Sequence, residues 1–390
     1  MKDRLEANSP ITPFSYHVSD QELERIRARV AEFPWHEMPD DGGWNYGANI
    51  DYMRELCGYW VNEFDWRAAE KRLNSFSHFK APVDGIDMHY IHEQGSGSNP
   101  KPLMISHGWP GSVAEFFKLI EPLAHPERFG GDAEDGFTVI APSLPGFGFS
   151  GRPPRPYGPR QMASVINSLM TDTLGYKSYL AQGGDWGGAI CSWLGFEHAP
   201  ACSAIHINVL TMRHPDGPQS TEEKAWDQQF DTDQIMQNGY RTQQATRPQT
   251  LSYAMMDSPV GIAAWLVEKF HDWSDVPVGG IEQAHTKDEL LTNIMIYITT
   301  RTFNSASWIY YGRREEGGRI LSEDGARVEV PTGCAVFPAE MLRWPPKSYA
   351  DRIYNITHWS EMPSGGHFAA MEEPEMLLND IRKFARTLRS

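Results

Sequence analysis

Between residues 76 and 211 the chain sets short apolar or alternating runs among glycine-rich and polar segments, at 88–92, 103–106, 137–141, 179–181 and 204–207. Runs of that length and period predict strands. A helical pattern around 162–173 lies between the third and fourth runs, and another at 188–197 follows the fourth. Strand and helix alternating in this way predict a mostly parallel sheet covered by helices, an α/β core.

The flanking segments follow a different period. Ser19-Asp20-Gln21-Glu22 reads as a capping box ahead of Leu23, Ile26 and Val30 on one helical face. Met53, Leu56, Trp60 and Phe64 mark a second helix, and Asp65 is a candidate N-cap for a third over 66–73. Residues 1–75 are therefore expected to form a helical extension with no chemistry of its own. After the fifth strand, 212–325 again carries helical periodicity, including 262–270 and a capping box at Thr286-Lys287-Asp288-Glu289, and reads as a helical lid inserted into the core. Strand character returns at 335–337 and 354–357, and an amphipathic helix is expected over 374–388. The organisation is extension 1–75, core 76–211, lid 212–325 and completed core 326–390.

Charge and cysteine content narrow the chemistry. With 35 Lys and Arg against 51 Asp and Glu, the net charge of −16 disfavours nucleic acid and anionic membranes, which are held by clustered cations. The four cysteines, Cys57, Cys191, Cys202 and Cys334, are far apart and lack histidines at metal-ligand spacing, so reduced thiols and no metal or other cofactor are expected. No apolar run follows the polar start Met1-Lys2-Asp3-Arg4-Leu5-Glu6, and no uncharged stretch reaches the roughly 18 residues of a membrane span. The expectation is a cytoplasmic protein without a membrane anchor; a homo-oligomer is left open.

The strongest local motif is Gly183-Gly184-Asp185-Trp186-Gly187-Gly188, directly after the strand at 179–181. A nucleophile elbow needs small residues two before and two after its apex, because strand and helix backbones meet there, and Gly183 and Gly187 satisfy that. Asp185 occupies the apex. A carboxylate is already ionised at neutral pH and can attack a saturated carbon without a base, which leaves an alkyl ester for a separate base to hydrolyse with water. His367, in Gly365-Gly366-His367-Phe368 after the last strand, stands where an α/β-hydrolase fold keeps its base. Glu340 precedes it and completes the order nucleophile, acid, base; Asp351 and Glu361 are positional rivals. The loop His107-Gly108-Trp109-Pro110-Gly111-Ser112 follows the strand at 103–106 and offers the Trp109 N–H for an oxyanion hole, with the Trp186 N–H as its second donor.

These motifs together resemble the microsomal-type epoxide hydrolases over nearly the whole chain. Pro34-Trp35 in the N-terminal segment, the 107–112 loop, the elbow, the lid run Asp257-Ser258-Pro259-Val260-Gly261 through Glu268-Lys269-Phe270, and Gly365-Gly366-His367-Phe368-Ala369-Ala370 carry the likeness. The resemblance implies an α/β-hydrolase fold, Asp185 as nucleophile, His367 as base and Glu340 as acid. It also implies two lid tyrosines that protonate the epoxide oxygen, matching Tyr240 and Tyr310, with Tyr311 one register step away. Members of this branch in animal membranes carry an apolar anchor, and the polar start here implies a soluble relative. The expected substrates are water and a small apolar epoxide opened to a vicinal diol. A haloalkane dehalogenase would share the elbow Asp-Trp pair but has no use for paired phenols, and a non-catalytic binding protein would not need every position filled.

Overall fold

A computed structural model describes residues 11–276 and 280–388. The polar start at Met1–Glu6 lies outside the described residues. Nine strands form one sheet in the order β1-β2-β3-β5-β4-β6-β7-β8-β9, where β1 is Thr12–Pro13, β2 His78–Val83, β3 Ile86–Glu93, β4 Lys101–Ser106 and β5 Phe137–Pro142. The remaining strands are β6 Tyr179–Gly183, β7 Cys202–Ile207, β8 Val328–Val336 and β9 Tyr354–Glu361. From β5 through β4 to β9 every pairing is parallel, whereas β1, β2, β3 and β5 pair antiparallel. This is the α/β-hydrolase sheet that the alternating pattern predicts.

Three local expectations need correction. The sequence reading missed β2, whose apolar alternation is diluted by Lys80 and Pro82; the Asp84-Gly85 pair, both at positive φ, folds it back onto β3 as a two-residue hairpin. The extension is not wholly helical, since β1 adds an edge strand at Thr12–Pro13 ahead of the helices Asp20–Ala31, Ile50–Asn62 and Trp66–Leu73. At Ser19 only half of the capping box forms. The Ser19 hydroxyl accepts from Glu22 N, but the Glu22 carboxylate turns outward to Arg25, whose guanidinium offers two charge-assisted donors in place of one backbone N–H. The box at Thr286 is complete.

The extension is held together internally at a buried carboxylate. Glu70 accepts from the Val18 N–H at 2.9 Å, the Trp66 indole at 3.0 Å and Arg67 at 2.8 Å, tying the segment before the first helix to the third helix. Further along, Tyr59 donates to Asp288 at 2.8 Å and Lys287 to Glu55 at 2.6 Å, so the extension braces the lid helix Lys287–Thr300. The other lid helices are Thr221–Thr246, Pro248–Met255, Pro259–Trp273 and Phe303–Glu315. All four cysteines are free and buried. Among the described residues, no helix is long and apolar enough to cross a membrane.

Parallel strands bring their C-terminal ends to one edge, and ligand sites in such sheets form there. The loops after β4, β6, β8 and β9 therefore converge, which places four segments that are far apart in sequence beside one another. Glu70→Ala removes the acceptor of several donors at once and is expected to lower stability by roughly 1–3 kcal/mol. Urea unfolding followed by tryptophan fluorescence measures this, and a change within a few tenths would show that Glu70 does not hold the segments of the extension together.

Candidate active site

Asp185 stands where β6 turns into the helix Asp185–Glu197, with φ of +45°, in the left-handed region that a non-glycine residue rarely occupies. The turn is tight enough that a Cβ on Gly183 would lie 2.4 Å from the Gly187 carbonyl carbon, and one on Gly187 would lie 2.0 Å from the Ser106 oxygen. Glycine at both positions lets β4, β6 and the helix meet. The loop after β4 then passes directly beneath the carboxylate, and the Trp109 N–H donates to Asp185 Oδ1 at 2.7 Å. Trp186 supplies a first-turn N–H of the helix, a donor type without an intrahelical partner.

That loop is held from above by the lid. Asn293 donates to the Pro110 carbonyl at 2.8 Å and accepts from Ser112 at 2.8 Å, while Tyr297 donates to the Gly111 carbonyl at 2.8 Å. From below, His107 accepts from the Leu144 N–H at 3.2 Å.

His367 Nε2 lies 3.3 Å from Asp185 Oδ2 without the alignment of a hydrogen bond, and its Nδ1 donates to Glu340 Oε1 and Oε2 at 2.8 and 3.0 Å. Both side chains are fully buried. A backbone bridge between Ala339 and Gly366 joins the two loops, and Leu342 N–H fixes one Glu340 oxygen at 2.9 Å. Glu372 braces the far side by accepting from the Gly366 and Phe368 N–H groups. Burial opposes a charge on the imidazole, yet the Glu340 and Asp185 carboxylates outweigh it and raise its pKa well above the usual range. The rivals lie elsewhere: Asp351 pairs with Lys347, and Glu361 is exposed at the end of β9. His358 joins Asp380 and His206 in a separate cluster.

Tyr240 and Tyr310 reach the same space from helices Thr221–Thr246 and Phe303–Glu315, and both are buried. Their rings lie 5.6 Å apart; Tyr240 stacks on Trp109 at 5.2 Å, and Tyr310 meets Trp186 edge-on at 4.7 Å. Tyr311 instead lies beneath the Arg314 guanidinium, so the helix turns residue 310 to the cavity. Among the described residues the Tyr310 hydroxyl has no partner with hydrogen-bond geometry. Burial raises both phenols, with the Asp185 charge adding to it, so each stays protonated at neutral pH.

A cavity of about 240 Å³ opens on one side of Asp185, lined by Trp186, Tyr240, Tyr310, Met341 and Leu342 together with arginines 241, 313, 314 and 319. On the other side a 20 Å³ cavity borders Asp185, His367, Gln182, Asn208 and Glu115. About 10–15 Å³ suffices for one water, and this space is polar enough to hold it. The sequence reading passed over Glu115 and the arginines. Loss of hydration and the Asp185 charge push the Glu115 carboxyl up to about 8, making it an acid at neutral pH. A glutamate three residues beyond Ser112, directly after the loop, was the available signal for the first; the arginines come from two helices and a loop and left none. A larger cavity of about 440 Å³ between the extension and the helix Lys287–Thr300 does not reach Asp185.

Residues 11–116 match the family described as epoxide hydrolase N terminus, and 101–256 the alpha/beta hydrolase fold. Epoxide hydrolase 1 of Sus scrofa is 36% identical across 96% of this chain and 88% of its own. Among solved structures, juvenile hormone epoxide hydrolase of the silkworm Bombyx mori superposes with a TM-score of 0.88 at 28% identity, covering 98% of this chain and 96% of its own. Aspergillus niger epoxide hydrolase gives a TM-score of 0.84 at 28% identity, over 97% of each chain.

Because the Glu340 carboxylate helps hold the proton on His367, Glu340→Gln is expected to lower the imidazole pKa. Titration of ring-labelled histidine by NMR reads this directly. An unchanged midpoint would mean that Asp185 alone keeps the ring charged.

Proposed function

The chain belongs to the epoxide hydrolase family and hydrolyses epoxides, and from that premise we propose that it does so through a covalent ester on Asp185. The observation that carries this reading is the shared position of Asp185, between a cavity lined by two phenols and a water-sized cavity bordered by His367. A direct attack by water would need no carboxylate between those spaces.

In the first step one Asp185 oxygen attacks an oxirane carbon while Trp109 N–H retains the other. The carbon–oxygen bond that breaks leaves an alkoxide, a poor leaving group, and Tyr240 and Tyr310 donate hydrogen bonds and a proton to it. The aromatic wall of Trp109, Trp186, Tyr240 and Tyr310 suits an apolar carbon framework around the ring. Alkylation turns Asp185 into a neutral ester, which removes one of the two anions holding the proton on His367. The imidazole then releases that proton, balancing the one given to the alkoxide, and is ready to take another from water.

In the second step His367 removes a proton from water in the inner cavity, and the hydroxide adds to the ester carbonyl carbon. The Trp109 and Trp186 N–H groups stabilise the oxyanion, Glu340 stabilises the imidazolium, and Glu115 donates a hydrogen bond toward the same cavity. Collapse expels the diol oxygen, which takes the proton from His367, and the new carboxylic acid of Asp185 passes its own proton to the imidazole, which restores the resting carboxylate and imidazolium. The oxygen delivered to the diol in a first turnover thus comes from Asp185, and solvent oxygen enters the enzyme.

His367→Gln is expected to permit the first step and block the second, so that the alkyl-enzyme accumulates. Intact mass after mixing with styrene oxide detects it, and an unmodified mass in a variant that still binds would exclude the covalent route with His367 as base. Replacing either Tyr240 or Tyr310 with Phe should slow alkylation by about a hundredfold, the cost of losing one transition-state donor, and replacing both should nearly stop it. Rapid-quench measurement of the adduct tests this with Tyr311→Phe as the control; near-normal alkylation in the double variant would place the acid on other residues.

A further inference from the structure

The cavity that receives the epoxide also has a basic wall. Arg241 from the helix Thr221–Thr246, Arg313 from Phe303–Glu315 and Arg319 from the loop beyond it all line the same space as Asp185. Among the described residues none of the three has a carboxylate at ion-pair distance. Arg313 donates to the Gly318 and Thr211 carbonyls at 3.1 Å each and lies 5.0 Å above the Trp186 ring; Arg241 donates to the Gln234 amide oxygen at 2.8 Å; Arg319 lies 5.6 Å from the Phe230 ring centre. Neutral acceptors and ring faces satisfy these groups only in part.

This is unusual chemistry for so acidic a chain. Acidic residues outnumber basic ones by 51 to 35, and neighbouring Arg213 does have a partner in Asp227 at 3.0 Å. Three guanidiniums gathered without counter-ions repel one another and lose hydration, and both effects lower the pKa of Arg313, to about 10, and of Arg319. A purely apolar ligand would worsen that cost by displacing water from them. Asp185 offsets one charge, but it is hydrogen-bonded to Trp109 and becomes neutral in the alkyl-enzyme. The rest of the positive charge is left for the ligand to meet, and guanidinium forks match a carboxylate with paired hydrogen bonds.

We propose that Arg241, Arg313 and Arg319 form a subsite for a carboxylate, so that the preferred substrate is an epoxide whose apolar body carries an anionic group remote from the ring. The proposal rests on the reading of Asp185 as the nucleophile facing this cavity. It narrows the expectation of a wholly apolar substrate, because the aromatic wall near Asp185 still receives the carbon framework while the arginine wall receives its charged end.

The test compares 4-(oxiran-2-yl)benzoate with its methyl ester and with styrene oxide. The carboxylate is expected to have a kcat/KM at least tenfold above its ester, with the advantage shrinking as salt screens the charges. In Arg319→Gln and Arg241→Gln the carboxylate-to-ester ratio should fall about tenfold, mostly through KM. In addition, 4-ethylbenzoate should inhibit styrene oxide hydrolysis competitively and far better than methyl 4-ethylbenzoate. Equal turnover of carboxylate and ester, or arginine variants that slow both alike, would overturn the subsite and assign the arginines to Asp185 itself. Absence of an Asp185 adduct with all three epoxides in His367→Gln would instead overturn the underlying catalytic reading.

Discussion

A carboxylate largely withdrawn from bulk water must be held by donors of the protein itself. Asp185 is held by a backbone N–H from the loop after β4 and faces an imidazole from the loop after β9. Both contacts depend on the positive φ at residue 185, which lifts the side chain out of the strand-to-helix turn. The positive φ in turn depends on Gly183 and Gly187, which admit a backbone approach that no side chain would survive.

The peripheral elements follow from that need. The lid helix Lys287–Thr300 fixes the 107–112 loop through Asn293 and Tyr297, and the N-terminal extension presses on the same helix through Tyr59 and Glu55. The extension thus supports the position of the Trp109 N–H. The other lid helices bring Tyr240 and Tyr310 over the carboxylate, so that one insertion both closes the site and furnishes its phenols.

Electrostatics divide the site into two halves with different tasks. Around His367, two carboxylates confine one proton in a buried space, and a neutralised Asp185 would release that grip at the moment a base is required. Around the substrate cavity the imbalance is reversed, with Arg241, Arg313 and Arg319 lacking a carboxylate at ion-pair distance among the described residues. Burial makes both imbalances costly, and each is relieved only when a ligand or a covalent bond changes the local charge.

How much was legible in the sequence depended on how far apart the determinants lie. The α/β core, the glycine-flanked turn at Asp185 and the helices between β7 and β8 could be read because strand period, glycine spacing and capping are local properties written within a few residues. The order of Asp185, Glu340 and His367 was readable as order, with Glu340 preferred to Asp351 on position and resemblance, and the fold adds the Ala339–Gly366 bridge that brings Glu340 to Nδ1 of His367. Tyr240 and Tyr310 came from resemblance, since fifteen tyrosines carry no local mark of which will face a cavity. The β2 strand, the place of Glu115 and the arginine wall were decided by tertiary structure alone. A strand with a diluted pattern takes its state from its neighbours, and the charge of a pocket is a sum over side chains that meet only after helices from separate parts of the chain have packed.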